Sequence, residues 1–330
     1  MSNLNQVIGL LAKEEATYGT LETLSNTADG INIYIGDGDP PAPTAYEYVY
    51  DGNLGRAAST LAPQRRTTPN GRFRSGEFQF QPKGLGSTYS AILTPPREVH
   101  RGLRMCGLEW TYSASPTPQW TATPSAAGVI VGHTVRQFSQ GSQYDIRGVL
   151  ANLAFQTEGL GVPIMTVNWT GIADLPSTQA LPAITIEAPT IIAPVASAIT
   201  CTIGAFTTAT VRNVAFRMNR SIDNPRIAMN LAGGHAGFIP GGMAPELEIT
   251  IERPVRSTFD PEALLASAES RAVSVQFGAT QFNRWQVSLP QAQLSAVTPG
   301  NEGSIGTVTL VYRAHASTPT ANDFLSFLWS

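Results

Sequence analysis

Apolar and polar residues alternate with period two along much of this chain, the mark of half-buried β-strands. One order of such elements occurs twice. In the first half, the run Gly76–Pro82 leads to a proline-started helix signal at Thr94–Glu98, and two long alternating runs follow at 144–156 and 162–172. In the second half, Pro245–Glu252 leads to Phe259–Leu265, followed by alternating runs at 282–296 and 305–315. Each pair of long runs reads as a β-hairpin. In the second, Trp285, Val287 and Leu289 face Val308, Leu310 and Tyr312 by pattern, with a turn over Thr298–Gly303. Residues 96–107 predict a short amphipathic helix ended by Gly107, and residues 260–271 a second one.

Around these repeats the pattern predicts smaller pieces. Leu4, Val7, Ile8, Leu10 and Leu11 fall near helical spacing, which predicts a helix over 4–15. Short strands are expected at 31–35, 46–50, 72–74, 108–112, 129–131, 209–218 and 272–278. The stretch 36–71 is too long for an ordinary connection, and such loops are usually functional or cover a partner. It carries the turn signals Asp37-Gly38-Asp39 and Asp51-Gly52-Asn53. The tail Asp323–Trp329 is too apolar to lie free in water, and reads as a last strand or as an arm docked on a neighbour.

The reading divides the chain into a first module, 1–172, with an N-terminal arm and a long loop over 36–75; bridging strands and linker at 173–208; and a second module, 209–330, with a C-terminal arm. The helix-start prolines Pro96 and Pro261 are 165 residues apart (261 − 96), whereas Val167 and Thr309 are only 142 apart (309 − 167). The first copy therefore carries extra residues, placed at 108–143. A plan written twice points to symmetric assembly before it points to catalysis.

Composition narrows the function. Charged residues are only 14% of the chain, well below the usual quarter, which suits β-structure covered by neighbouring subunits. A neutral secreted β-protein is the alternative on composition alone. The net charge of −3 does not suit a protein that binds nucleic acid by neutralising phosphates. Lysine occurs only at 13 and 83, so the cations are nearly all arginine, a residue favoured at interfaces. The start Met1–Gln6 has no basic region or apolar core, so a protein first held in the cytoplasm is expected. No run nears the ~20 apolar residues of a membrane span.

The search for chemistry comes back thin. His100, His133, His235 and His315 show no metal-ligand spacing, and Cys106 and Cys201 read as buried free thiols. No metal, cofactor or catalytic residue is assigned, and the chain is read as not an enzyme. Gly233–Gly237 lacks the lysine of a phosphate cradle. Asp37 and Asp39 would hold a cation only weakly, and an Asp-capped turn explains them better. Arg65, Arg66, Arg72 and Arg74 form the one local basic cluster. Asp37, Asp39, Asp51, Arg65, Arg66, Arg72, Phe324 and Trp329 are the candidates for contacts between subunits.

Several motifs carry a family resemblance. The opening Leu11-Ala12-Lys13-Glu14-Glu15-Ala16-Thr17-Tyr18-Gly19-Thr20 is similar to the start of tail tube (major tail) proteins of long-tailed, siphovirus-like bacteriophages. Leu103-Arg104-Met105-Cys106-Gly107-Leu108 resembles that family's helix, and Tyr144–Leu153 its following strand. Pro163–Gly171, Asp260-Pro261 and the 282–315 hairpin continue the series, so the likeness runs nearly end to end through the order of short motifs. The resemblance implies a mainly β fold with two tandem β-sandwich or partial-barrel modules, each flanked by a short helix. It implies a virion protein, assembled in the host cytoplasm, that polymerises into stacked rings around a bore. DNA would pass through that bore without specific binding, past walls of acids or neutral polar groups. The partners are then further copies of the chain and other tail proteins, with no membrane. Two modules per chain imply a ring of three, a pseudo-hexamer, with a plain hexamer as the alternative. A capsid decoration or tail terminator protein shares some of these motifs. A carbohydrate-binding β-sandwich is the rival outside virions, with Tyr46, Tyr48, Tyr50, Trp110 and Trp120 as its aromatic candidates.

Overall fold

The computed structural model describes residues 7–30, 47–50, 72–80, 82, 95–114, 118–126, 130–139, 142–158, 163–174, 177–180, 182–184, 199–223, 237–279, 281, 284–318 and 321–330. Its strands in chain order are β1 (Val7–Glu14), β2 (Glu47–Tyr50), β3 (Arg72–Phe80), β4 (Leu108–Ser113), β5 (Gln119–Pro124), β6 (His133–Ser139), β7 (Ser142–Glu158), β8 (Ile164–Ala173) and β9 (Ser177–Thr178). They continue as β10 (Ile199–Ile203), β11 (Val211–Arg217), β12 (Ile222–Asp223), β13 (Ile239–Pro240), β14 (Glu246–Glu252), β15 (Ser270–Phe277), β16 (Trp285–Glu302), β17 (Ile305–Ala314) and β18 (Ser326–Trp329). The two helices are α1 (Arg97–Met105) and α2 (Pro261–Ser267). The protein is mainly β, and all strands but β12 and β13 belong to one antiparallel sheet of sixteen.

The strand order explains the doubled pattern in the sequence. One set pairs as β1-β6-β7-β8-β3-β2, the other as β10-β15-β16-β17-β14-β11. Every neighbour relation in the first set has its counterpart in the second, and each helix lies between corresponding strands. The extra residues of the first set form the β4–β5 hairpin, which pairs through β18 with β16 of the second set. β11 joins the sets, with β14 on one edge and β7 on the other.

A continuous run of this sheet, β3-β8-β7-β11-β14-β17, has two unlike faces. Phe78, Phe80, Val167, Leu153, Phe155, Phe216, Leu247, Ile249, Ile251, Leu310 and Tyr312 point into the core. The alternate positions carry Glu77, Asn168, Gln156, Arg217, Glu248 and Thr309. The buried face meets rings of other elements: Phe155 lies edge-on to Phe277 and Trp285, and Phe216 edge-on to Phe327. α1 closes the same core, its Gly102 approaching Phe80 and Val167 so closely that a Cβ there would lie 3.1 Å from the Phe80 ring.

Several expectations are corrected. Residues 7–14 form a strand, not a helix. Its successive apolar residues are buried on both faces, Leu10 and Ala12 in the main core and Leu11 in a second cluster with Leu24 and Phe138. A two-sided strand and a short helix look alike in an apolar run this brief. Trp285, Val287 and Leu289 pair with β15 and β18 rather than with β17. β16 changes partner along its length, and Val297 and Leu294 are the residues opposite Leu310 and Tyr312. The strand also runs through Thr298–Glu302, leaving only Gly303 and Ser304 as the turn. Residues 130–132 are not in a strand; β6 begins at His133. α2 stops at Ser267 because Ala268 takes a left-handed conformation, φ 52°. The strand expected at 31–35, the long loop over 36–71 apart from residues 47–50, and residues 233–236 of the glycine-rich loop lie outside the described residues.

Candidate assembly surfaces

Both long strands bend at a bulge, and the bulges correspond. In β7 the pairing with β8 jumps from Arg147↔Ile172 to Leu150↔Thr170. Gly148 sits in that gap with φ +60°, a conformation glycine adopts without steric cost. In β16 the pairing with β17 jumps from Leu294↔Tyr312 to Ala296↔Val311, and the Ser295 hydroxyl donates to the Val311 carbonyl at 2.9 Å. Beyond each bulge the strand enters the polar-faced sheet.

The first bulge is held by residues of the opening motif. The Glu15 carboxylate accepts from the Gly148 amide at 2.7 Å, from the Gly19 amide at 2.6 Å and from the Thr134 hydroxyl at 3.2 Å. Burial raises the Glu15 pKa, and these bonds oppose that rise. The Tyr18 hydroxyl accepts from the Phe238 amide at 2.8 Å and lies 2.9 Å from the Phe238 carbonyl. Burial pushes the Tyr18 hydroxyl up to about 12, so it stays protonated at neutral pH. The motif thus ties the first strand to the bend in β7 and to a segment of the second set.

α1 is anchored at both ends of its charge pattern. Arg104 makes two bonds to Glu14, at 2.6 and 3.1 Å, and Arg101 bonds Asp29 at 3.1 Å. At the C-terminal end Arg220, buried, donates to the Met105 carbonyl at 3.0 Å. A cation there suits the free carbonyls and negative end of the helix. Neither Glu15 nor Arg220 was singled out in the sequence. Glu15 lies within the opening motif, whereas Arg220 carries no local signal, because its partner is 115 residues away.

The two sets share their core through a seam of aromatic rings. Phe155 stacks on Phe216 at 5.5 Å, Trp285 on Phe277 at 4.2 Å and on Trp329 at 5.8 Å, and Trp329 meets Trp110 at 5.4 Å. Rings at these separations add to their area burial. The seam accounts for the apolar tail: it is a last strand, between β16 and β5. Trp329 is fully enclosed within its own chain, and Phe324 is half-buried against the same core. Arg72 opens β3 opposite Tyr50. Asp37, Asp39, Asp51, Arg65 and Arg66 lie outside the described residues. Trp110 and Trp120 pack against the core rather than forming an open platform.

The outer face of the joined sheet is polar, and its arginines sit against acids. Arg217 lies 3.5 Å from Glu248, Arg313 2.7 Å from Glu246, and Arg212 bonds Glu252. Toward β3 the face continues through Gln156, Asn152, Asn168, Thr166, Glu77 and Gln79 by register.

Two histidines lie close to the arginines of α1. Burial, with Arg101 and Arg104 nearby, lowers the pKa of His100 to about 4 and that of His133 well below its usual value. Cys106 and Cys201 are free, buried thiols pushed up to about 12 by burial. Among the described residues no group of three His, Cys, Asp or Glu side chains could hold a metal ion, and no helix is long and apolar enough to cross a membrane. No protein-family model matches the sequence, and none of the curated proteins compared with it matches.

Proposed function

We propose that this chain is a structural virion protein of a long-tailed bacteriophage that polymerises into stacked rings, forming the tail tube through which DNA leaves the capsid. The carrying observation is the six-strand order met twice in one chain, joined edge to edge by β11. Each set would be one tail-tube-like β-sandwich or partial-barrel module with its short helix. Two such modules side by side give one chain two of the six places in a ring, so three chains close a pseudo-hexamer.

The polar face of the joined sheet suits the wall of the bore. A duplex passing through should meet acids and neutral polar groups, because bound phosphate would stall it. Glu77, Glu246, Glu248 and Glu252 supply the acids. Glu246, Glu248 and Glu252 also lie beside Arg313, Arg217 and Arg212, which mutes those cations. The virion is the location on this reading, with assembly in the host cytoplasm and other tail proteins as further partners.

The test is electron microscopy of the purified protein at high concentration with the mass of one ring. Stacked rings of three chains with approximate six-fold appearance are expected. Six chains per ring would replace the trimer with a plain hexamer. A monodisperse monomer would remove the tube reading and favour a soluble binding module.

A further inference from the structure

The junction that joins the two sets inside the chain is used once, and both of its halves recur elsewhere in the chain, each with one edge that no described strand covers. Inside the chain, the last strand of the second set, β11, lies against the bent half of the long strand of the first set, Ala154–Glu158 of β7. The counterpart of β11 is β2, which pairs with β3 as β11 pairs with β14. The counterpart of the bent half of β7 is the bent half of β16.

The edges concerned are open among the described residues. β15 covers one edge of β16 as far as Gln293, and β17 covers the other from Ala292 to Glu302. Beyond Gln293 no described strand borders the first edge, and Thr298–Glu302 are exposed. β2 has β3 on one side and no described strand on the other. Open edges present a row of unpaired amides and carbonyls that favours pairing with another chain.

The registers can be matched through the bulges. Leu150↔Thr170 corresponds to Ala296↔Val311, which sets β7 against β16 with a difference of 146 (296 − 150) and β8 against β17 with 141 (311 − 170). Arg74, opposite Gly171, then corresponds to Leu247, opposite Tyr312. Tyr48, opposite Arg74, takes the register position of Phe216, opposite Leu247. Since Phe216 pairs with Phe155, and 155 + 146 = 301, the counterpart partner of Tyr48 is Asn301. The same steps set Glu47, in the place of Ala215, opposite Glu302 (156 + 146), and Val49, in the place of Arg217, opposite Gly300 (154 + 146). Pro299, which has no amide hydrogen, falls just before this ladder and does not interrupt it.

We propose that β2 of one copy pairs antiparallel with Gly300–Glu302 of β16 in a second copy, repeating between chains the β11–β7 junction within the chain. The contact is head-to-tail, because its two halves lie on different strands far apart in the sheet order. Such a contact closes a ring when the rotation per chain divides a full turn, and the internal junction already supplies half of the steps. The occupant is a second copy because the chain itself contains the matching pair. The inference rests on the assembly reading but not on tubes: rings alone would satisfy it.

Engineered thiols test it in the full-length protein. Glu47→Cys and Glu302→Cys are made singly and together, and oxidised with a mild copper catalyst. The native thiols Cys106 and Cys201 are buried, so the wild-type chain serves as the background control. Mixing the two single variants is expected to give covalent dimers, and the double variant a ladder that stops at three chains. Dimers formed as readily by Glu47→Cys alone would show β2 pairing with itself and overturn the proposal. As a second variant, Asn301→Pro removes one amide donor from an exposed edge. It is expected to shift sedimentation from rings to monomers with an unchanged melting temperature; persistent rings would overturn the proposal. Tubes in micrographs without Glu47–Glu302 cross-links would sink the strand pairing and keep the tube. Cross-linked rings that never stack would do the reverse.

Discussion

At the scale of single residues, the buried polar groups of this protein work as ties between distant segments. Glu15 and Tyr18 spend their hydrogen bonds on backbone groups of the β7 bulge and of Phe238. Unmet backbone amides are costly when buried, so each such bond fixes a bend that the strand ladders leave open. The buried histidines give stability a pH dependence of definite sign. His100 stacks on Trp110 at 5.8 Å and is held neutral by burial, its pKa lowered from 6.5 to about 4. Above about pH 6.5 both folded and unfolded chains carry it neutral, and stability is at its full value. Below that pH the unfolded chain takes up the proton first, so stability falls as pH drops toward 4, by on the order of 2 kcal/mol for this group. His133 acts in the same direction. Glu15, with its raised pKa, acts in the opposite one. Urea unfolding at a series of pH values should show the decline, and His100→Gln should flatten part of it. A variant with the wild-type slope would mean that His100 does not carry the effect.

At the scale of elements, the legible parts of the fold were those whose signal is local. The β7–β8 and β16–β17 hairpins follow from alternation, and α1 from its amphipathic spacing and Gly107. β1 was misread because its two faces are both covered, which erases the alternation that marks a strand. The partners of Trp285 and Val287 were misread because β16 bends, and a bend shifts pairing without changing the residue pattern. Of the candidate contact residues, Trp329 was visible as an apolar tail, but its place between β16 and β5 depends on strands more than 150 residues apart (329 − 120 = 209 for its partner Trp120). The end of α1 gives a test at this scale. Gly107 has φ +82°, and a Cβ there would lie 2.9 Å from the Arg220 guanidinium carbon. Gly107→Ala must therefore accept a left-handed backbone and displace the cation that caps the helix. A loss of roughly 1–2 kcal/mol from the backbone alone is expected, measured by denaturant unfolding. Gly242→Ala is the control, because its added Cβ meets nothing within 4 Å. Equal stability of the two variants would show that the Arg220 contact and the cap are not needed.

At the scale of the whole molecule, the doubled strand order does not make two independent bodies. β11 belongs by sequence to the second set, yet it stands between β7 and β14 and closes the sheet across the boundary. The aromatic seam crosses the same boundary, from Trp110 and Phe155 to Phe216, Trp285 and Trp329. Separating the sets would expose several large rings, each worth about 1.5–3 kcal/mol of burial. It would also open the β7 and β11 edges together. The halves 1–198 and 199–330, cut so that β10 stays with its partner β15, should therefore be aggregation-prone or poorly folded when made alone. Made together in one cell, they should associate and co-purify, because the seam and the β7–β11 ladder can re-form without a covalent link. Circular dichroism and sedimentation of each half and of the pair decide the matter. Two halves that fold alone and ignore each other would mean that the seam is dispensable. The same result would undercut the internal junction as a template for contacts between chains, since an edge that does not hold two halves together gives no reason to expect its copy to hold two subunits.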